Sequence, residues 1–300
     1  MLQTQIPLAG ILRAHHAWLV NAGEGRRADL TGVTLNDQDL HEAKLSRAVL
    51  SGATFLDANL SGADLSAARL ERCDFQRANL AGADLTGADL TAAELGGAWL
   101  TNASLSEAVL RQTSLRRAKL DKVQLLDAAI TEATFQQASA KSANLHQARL
   151  YDVDWSQANI SAAQFYHARV QHCRFYGVDA ENASFNGAKL DHCDFSNASM
   201  EDARFSRAEI LQCLFRDTTL KFADFREARL SGGDFRGALL EGARFGKAHL
   251  LTTDFRGANL RGARELTAEQ LMQALTDQST TLPNGKQGPY LRYSGAEKAR

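Results

Sequence analysis

The chain has 300 residues, and its 34 lysines and arginines almost balance its 35 aspartates and glutamates, which leaves a net charge of −1. This balance argues against a protein that binds polyanions through bulk charge, and equally against a strongly acidic protein. No stretch is long and apolar enough for a membrane-spanning helix, and the four cysteines lack the CxxC pairs and the spacing of a disulfide-rich secreted module.

Residues 1–27 form a lead-in that we expect to cap the rest of the chain. Six of its residues follow helical spacing: Leu8, Ile11, Leu12, His15, Trp18 and Leu19. Gly23 and Gly25 then stop the helix, which we predict over residues 8–22.

The same segment does not resemble a signal peptide. It has no basic start, and Arg13, His15 and His16 interrupt its apolar residues. We therefore expect a cytoplasmic protein, with export by a machine that reads no cleavable signal left open.

Residues 28–264 carry a repeat of five residues. From Leu30 to Leu260 every fifth residue is apolar, which gives 47 centres without a change of register, and only Ala140 and Ala180 among them are small. The position two residues before each centre is Ala in 35 of 48 cases, and the other three positions are mostly polar, charged or Gly.

The period of five predicts a solenoid. It fits neither a continuous helix, with a period near 3.6, nor a continuous strand, with a period of about 2. Each pentad must therefore hold a short extended piece and a turn, so that the same position always returns to the inside. Chains of this kind wind into coils whose successive turns pair like parallel strands.

The aromatic residues indicate how many pentads make one coil. Thirteen of the 14 phenylalanines are centres, and from Phe165 to Phe255 every second centre is Phe. An even number of pentads stacks them in columns, whereas three would scatter them. The cysteines are separated by multiples of 20 residues: Cys73, Cys173, Cys193 and Cys213. Both patterns predict four pentads, or 20 residues, per coil.

One centre is larger than its neighbours in the same column. Trp155 stands between Phe135 and Phe175. We expect Ala140 or Ala180 to leave room for the second ring of the indole.

Three motifs carry a family resemblance: ANLSGADL at 58–65, ANLAGADLTGADL at 78–90 and FRGANLRGA at 255–263. They resemble the pentapeptide-repeat family, whose pattern is A(D/N)LXX, over about four-fifths of the chain. The resemblance implies an all-β solenoid, a right-handed quadrilateral β-helix, to which this sequence adds short N-terminal and C-terminal capping helices. At about 4.8 Å per coil, roughly 12 coils would form a rod about 56 Å long.

Residues 265–300 are predicted to form a C-terminal helix and an irregular tail. Glu265 breaks the register, and Thr267 with Gln270 has the pattern of a capping box. The apolar residues that follow are expected to form a stripe that is either a cap or a homodimer interface: Leu271, Met272 and Leu275. Prolines and glycines then mark the tail, and we expect 294–300 to be disordered.

The repeat accounts for most residues that could otherwise suggest chemistry. Many aspartates directly precede centres and belong to the repeat pattern, among them Asp64, Asp74, Asp84, Asp89, Asp194, Asp234 and Asp254. The cysteines occupy the small inward position, whereas the neighbouring His172 and His192 face outward. No nucleophile elbow, P-loop or dinucleotide motif occurs, and a filled rod lacks a cleft. We expect no enzymatic activity, no cofactor and no metal.

Folding the sequence at a period of 20 exposes one candidate recognition surface. Three basic residues stack in a column: Arg149, Arg169 and Lys189. Three aromatic or imidazole residues fall beside them: Tyr151, His172 and His192. Tyr166, His167 and Tyr176 lie on adjacent sides of the same coils. This combination is typical of recognition surfaces, although nearby carboxylates leave a merely solvated face as the alternative.

The sequence shows two other surface features, an exposed tryptophan and a second basic column. Trp99, just before Leu100, faces outward and is a further candidate contact. A second basic column, Arg216, Arg236 and Arg256, is expected to be matched by Asp234 and Asp254.

Three functions fit these observations. The first is a rigid, non-enzymatic scaffold that binds a macromolecular partner, a protein rather than nucleic acid. The second follows from the resemblance, because the quinolone-resistance members of the family mimic DNA and bind DNA gyrase or another type II topoisomerase. This chain departs from them through its balanced charge, its basic column and its lack of inserted loops. The third is an exported bacterial effector or a secretion-linked adaptor.

Overall fold

In the computed structural model, which describes residues 8–299, the repeat region is one parallel β-solenoid. Its bridges join residues 20 apart, as Asp29 with Val49 and Val49 with Arg69. Four pentads therefore make one coil, and about 12 coils stack between 28 and 264. All 47 centres are buried, which confirms the predicted inward register.

The turns explain the composition of the repeat. In most pentads the carbonyl of the centre accepts a hydrogen bond from the N–H three residues on, as in Val33 N to Leu30 O at 3.1 Å. The residue before that donor has a positive φ, as Gly32 does with 67°, which defines a type II turn. The donor itself ends the turn with its side chain inside the rod, so Ala is favoured there.

One side of the rod is more extended than the others and forms a six-stranded parallel sheet at mid-length. Its strands are β1 (Val109–Arg111), β2 (Ala129–Thr131), β3 (Arg149–Tyr151), β4 (Arg169–Gln171), β5 (Lys189–Asp191) and β6 (Glu209–Leu211). They lie in chain order, each one coil from the next. The middle residue of each strand is buried and the outer two face outward, and we call this surface the sheet side.

The core is ordered by its aromatic columns. Within a column the rings stack, as Phe175 does on Phe195 with centroids 4.6 Å apart. Between columns the rings meet edge to face, as Phe175 and Phe185 do at 6.3 Å. Trp155 is fully buried in this arrangement and stacks on Phe135 with centroids 3.9 Å apart.

Helix α1 (Leu8–Val20) covers the first coils and ends two residues earlier than predicted. The chain turns back on the helix there, because Arg26 N–H donates to Ala14 O at 3.0 Å. The apolar face packs on the core through Leu8, Ile11 and Leu12.

His15 joins α1 to the solenoid. Its buried imidazole accepts a hydrogen bond at Nδ1 from Ala28 N–H and bonds through Nε2 to Ser46 O, both at 3.0 Å. An acceptor at Nδ1 and a donor at Nε2 require the neutral ring.

Helix α2 (Ala268–Gln273) closes the other end and confirms the predicted capping box between Thr267 and Gln270. The Gln270 amide also donates to the carbonyls of Phe245 and Ala248, each at 2.8 Å. The side chain thereby supplies partners for carbonyls at the end of the last coils.

The pairing ladder runs beyond residue 264. Leu275 pairs with Asp254 and Thr281 with Asn259. Farther on, Ala296 is buried and its carbonyl accepts from Asn284 N–H at 3.2 Å. The expected disorder is therefore wrong for 294–299, because this part of the tail folds back on the chain. Neither helix in the described part of the chain is long and apolar enough to cross a bilayer.

Candidate functional site

The sheet side carries three adjacent cationic side chains. Arg149, Arg169 and Lys189 open strands β3, β4 and β5, and their Cα atoms are successive register partners. All three are exposed. We call these three residues the basic row.

The charges of the basic row are only partly matched within the chain. Lys189 Nζ lies 3.4 Å from Glu209 Oε2. Arg149 and Arg169 have no carboxylate oxygen within 4.0 Å among residues 8–299. Like charges directly opposite each other on neighbouring strands repel. An anionic ligand across both guanidinium groups would relieve that repulsion.

The predicted aromatic companions flank the row on the side where the strands end. The rings of Tyr151 and His172 meet edge to face at 5.5 Å, and His172 stacks on His192 at 5.2 Å. His192 Nδ1 is 2.7 Å from Asp191 Oδ1. Tyr151, His172 and His192 are all exposed. The structure thus brings the six predicted residues onto one surface.

A second ring cluster lies at the corner before the strands. His146 stacks on Tyr166 with centroids 5.1 Å apart, and Tyr166 lies 4.0 Å from His167. The 20-residue period of the sequence predicts that Tyr166 and His167 lie near the row, but it does not single out His146. With His172 and His192, four of the eight histidines border the sheet side.

A shallow groove of about 300 Å³ separates the basic row from this corner. Its far wall consists of residues that follow one another at intervals of 20, here called the corner column: Asp127, Gln147, His167 and Gly187. A second groove, of about 600 Å³, continues around the corner between Tyr166 and Arg226. His167 and Gly187 line both grooves.

Gly187 makes a notch where the two grooves meet. Its φ is 65°, and a Cβ added there would lie 2.6 Å from His167 Nδ1. The imidazole leans over the space that a side chain at 187 would occupy. The sequence alone could not signal this notch, because Gly is common at the left-handed turn position throughout the repeat.

Trp99 lies elsewhere on the rod and already has a partner. It is half exposed, and Lys119 Nζ lies 4.4 Å above its ring, within the range of a cation–π contact. The structure does not bring Trp99 together with the basic row.

The second basic column is neutralised, as the sequence predicted. Arg216 and Arg236 both bond to Asp234, and Arg256 bonds to Asp254. Burial raises the pKa of Asp234, but the guanidinium hydrogen bonds outweigh it and lower the pKa to about 2. This column therefore offers less unmatched charge than the basic row.

The seven aspartates that the sequence analysis names all have a structural role. The Oδ1 atom of each accepts a hydrogen bond from the N–H two residues on, as Asp64 does from Ser66 at 3.1 Å. This is the Asx bond that supports a turn.

The cysteines are buried and free. Burial raises the pKa of the Cys73 thiol to about 12 and also raises the pKa of Cys173 and Cys213. Nucleophilic chemistry needs the thiolate, which burial disfavours at these three cysteines. Within residues 8–299 no three His, Cys, Asp or Glu side chains are grouped so that they could hold a metal ion.

The structure separates the three apolar residues of the predicted C-terminal stripe. Leu271 is buried against the core, whereas Met272 and Leu275 are half exposed. Leu275 lies beyond α2 because its backbone joins the ladder, with bonds to Thr253 O and from Phe255 N–H, both at 2.8 Å.

Comparisons with known proteins agree with the repeat. Models described as pentapeptide repeats match residues 28–66, 68–106 and 100–137, and a pentapeptide repeat region model matches 148–209 and 188–264. No curated protein matches the chain.

Three solved structures illustrate the similarity. HetL, a pentapeptide repeat protein involved in heterocyst differentiation regulation in the cyanobacterium Nostoc sp. strain PCC 7120, is 24% identical; the match covers 94% of this chain and 100% of HetL, with a TM-score of 0.32. Rfr23 of the cyanobacterium Cyanothece 51142 is 24% identical over 37% of this chain and 89% of its own, with a TM-score of 0.34. QnrB1, a plasmid-mediated fluoroquinolone resistance protein, is 17% identical over 84% and 93%, with a TM-score of 0.20. These similarities concern the fold.

Proposed function

Since this chain belongs to the pentapeptide-repeat family, we propose that it is a rigid, non-enzymatic scaffold that binds a protein partner through the sheet side. The observation that carries the proposal is the pair Arg149 and Arg169, held in register without a carboxylate partner among residues 8–299.

The solenoid supports binding because it fixes the spacing of the row. Each cationic residue is the first residue of a strand that is hydrogen-bonded to a neighbouring strand on both sides. Side chains on such a frame lose less entropy on binding than those on a mobile loop. Arg and Tyr, both present here, are frequent anchors of protein interfaces.

The partner surface should be acidic protein rather than nucleic acid. Three or four phosphate contacts give weak binding at physiological salt. The flanking rings of Tyr151, His172 and His192 add contact area that an acidic protein surface can cover. DNA mimicry would require an acidic surface, whereas the sheet side is basic, and no described residue favours an exported effector.

Replacing both unpaired arginines tests the proposal. We expect Arg149→Glu with Arg169→Glu to abolish capture of the partner from cell extract and to leave the melting temperature unchanged, because both side chains are exposed. The matched control is Arg244→Glu with Arg264→Glu, an exposed pair in the same register relation elsewhere on the rod.

The control separates location from overall charge, since both double variants change the charge equally. Loss of capture only in the Arg149 and Arg169 variant supports the proposal. Undiminished capture by that variant would place the site elsewhere, and Trp99 would be the next position to change.

We also propose that the chain forms a homodimer through its C-terminal segment, because Met272 and Leu275 remain half exposed there. Met272→Ser with Leu275→Ser should shift the sedimenting species from dimer to monomer. Leu291→Ser, at a more exposed position, is the control. A species of unchanged mass in the double variant would remove the proposed interface.

A further inference from the structure

We infer that the basic row recognises an α-helix of the partner that lies along the rod axis and carries carboxylates one helical turn apart. The inference rests on the proposed function and specifies the partner's chemistry and geometry. Three observations support it: the spacing of the basic row along the rod, the residues at which the row ends on each side, and the shape of the groove beside it.

The spacing of the row fits a helix better than a strand. Two coil steps at about 4.8 Å separate Arg149 from Lys189 by about 9.6 Å along the axis. Residues i and i+7 of a helix are about 10.5 Å apart and lie on one face. In a strand, residues i and i+4 on one face are about 13 Å apart. An acidic helix therefore meets all three cations, whereas a strand drifts out of register.

The row also limits how long the matching segment can be. The register partner before Arg149 is Ala129, and the partner after Lys189 is Glu209. The favourable surface thus ends in a neutral residue on one side and a carboxylate on the other. Three carboxylates at i, i+4 and i+7 would fill it, and a further acidic turn would meet Glu209.

The surface shape of the sheet side fits an elongated ligand. The groove follows the rod axis between the basic row and the corner column over the same coils. Rings border the sheet side on both edges, with His167 at one and Tyr151 at the other. These rims can contact the flanks of a helix while its acidic face meets the guanidinium groups.

Two synthetic helical peptides of identical composition test the register. One carries Glu at i, i+4 and i+7; the other carries the same three Glu at i, i+1 and i+6, at least about 100° apart around the helix, so that only one of them can face the row at a time. Fluorescence anisotropy titration of the full chain should show about fourfold tighter binding of the first, since the second forgoes two exposed ion pairs and each contributes a factor of about two.

A glycine variant tests the location. Gly187→Asn places a side chain where the imidazole of His167 now lies, 2.6 Å from the added Cβ, so that ring must move and the groove changes shape. Asn is tolerated at this turn conformation, as Asn182 and Asn197 show with φ of 59°. We expect it to lose the preference for the first peptide. Gly87→Asn, in the same column where an added Cβ meets nothing within 4 Å, should keep the preference. Melting temperatures of both variants show that the rod is intact.

The remaining outcomes decide against the inference. Equal affinity for the two peptides would overturn the helical register, as would an unchanged preference in a folded Gly187→Asn variant. Tighter binding of a short duplex oligonucleotide than of the first peptide would also overturn it. The proposed function would survive each of these results if the Arg149 and Arg169 variant still lost capture of its protein partner.

Discussion

The indole of Trp155 shows how a single residue can fit the shape of the core and still leave a polar atom without a partner. The ring is fully buried and stacks on Phe135, as its position at a centre predicts. Its Nε1–H has no hydrogen-bond partner among residues 8–299. A buried unpaired donor destabilises the folded state, so the packing of the two rings must offset that loss.

Two substitutions separate packing from polarity at this position. Trp155→Ala should lower the free energy of unfolding by about 3–5 kcal/mol, because it removes a large buried side chain. Trp155→Phe should cost less than about 1.5 kcal/mol, because Phe fits the column and removes the unpaired N–H. Denaturant titration measures both. A loss under about 1 kcal/mol for Trp155→Ala would show that the indole contributes no packing.

His15 should make the N-terminal cap sensitive to acid. Burial lowers the pKa of this imidazole below its usual 6.5, and the bond to Ser46 O only partly opposes that effect. The unfolded chain therefore takes up the proton before the folded chain does as the pH falls. The stabilisation is complete above pH 6.5 and decreases below it, down to the lowered pKa of the folded state.

Hydrogen exchange of the α1 amides at a series of pH values measures this effect. The wild-type helix should lose protection below pH 6.5, whereas His15→Gln should remove this pH dependence because the amide does not titrate. His16→Gln, at the exposed neighbour, should retain it. A pH response that persists in His15→Gln would assign the titration to another group.

At the level of elements, the two ends of the solenoid are closed by different means. Helix α1 is held by close backbone packing and by His15, whereas α2 is held by the hydrogen bonds of Gln270 and the buried side chain of Leu271. Each device supplies a partner to a carbonyl that a neighbouring coil would otherwise bond, Ser46 O at one end and Ala248 O at the other. Each can therefore be tested without touching the sheet side.

Removal of the Gln270 amide should destabilise the C-terminal end. Gln270→Ala leaves the buried carbonyl of Ala248 without a donor, which costs about 1–3 kcal/mol, whereas Phe245 O keeps its bond from Ala248 N–H at 2.9 Å. Gln273→Ala, an exposed glutamine of the same helix, should be nearly neutral. Thermal unfolding compares them, and equal melting temperatures for the two variants would contradict the capping role.

The N-terminal end depends on a close approach at Gly25. An added Cβ would lie 2.2 Å from Trp18 N and 2.3 Å from Ala14 O, so Gly25→Ala must push α1 away at a cost of roughly 1–3 kcal/mol. Gly23→Ala meets only Asn21 Oδ1, at 3.6 Å, and should be tolerated. Faster hydrogen exchange throughout α1 in Gly25→Ala alone is the expected result; matching exchange in both variants would argue against the contact.

The sequence predicted the secondary-structure elements and the basic row, but not the shape of the surface around them. The period of five, the Phe columns and the Cys spacing specify which residues face inward, and a fold with one inward position per pentad leaves little freedom. The capping box at Thr267 was equally readable. The groove was not, because it depends on how His167 leans over Gly187, and side-chain direction at an exposed corner has no sequence periodicity.

On the scale of the whole molecule, we expect the rod to tolerate the deletion of one whole coil better than the deletion of a single pentad. Removal of residues 216–235 takes out one coil and keeps every column aligned. Removal of 216–220 shifts all later residues by one side and puts Phe225 and Phe235 into columns of aliphatic centres. We expect the smaller deletion to lower the melting temperature more, as thermal unfolding can measure. The opposite ranking would show that the aromatic columns do not govern stacking.

The 20-residue register also has a consequence for heredity. A duplication or loss of one full coil outside residues 149–189 yields a daughter protein that is merely longer or shorter, with its basic row intact. A change that is not a whole number of coils rotates the later coils relative to the earlier ones and misaligns their columns. Inherited variation in size is therefore confined to discrete steps. Lineages can thus explore rods of different reach by unequal recombination while the surface that meets the partner stays the same.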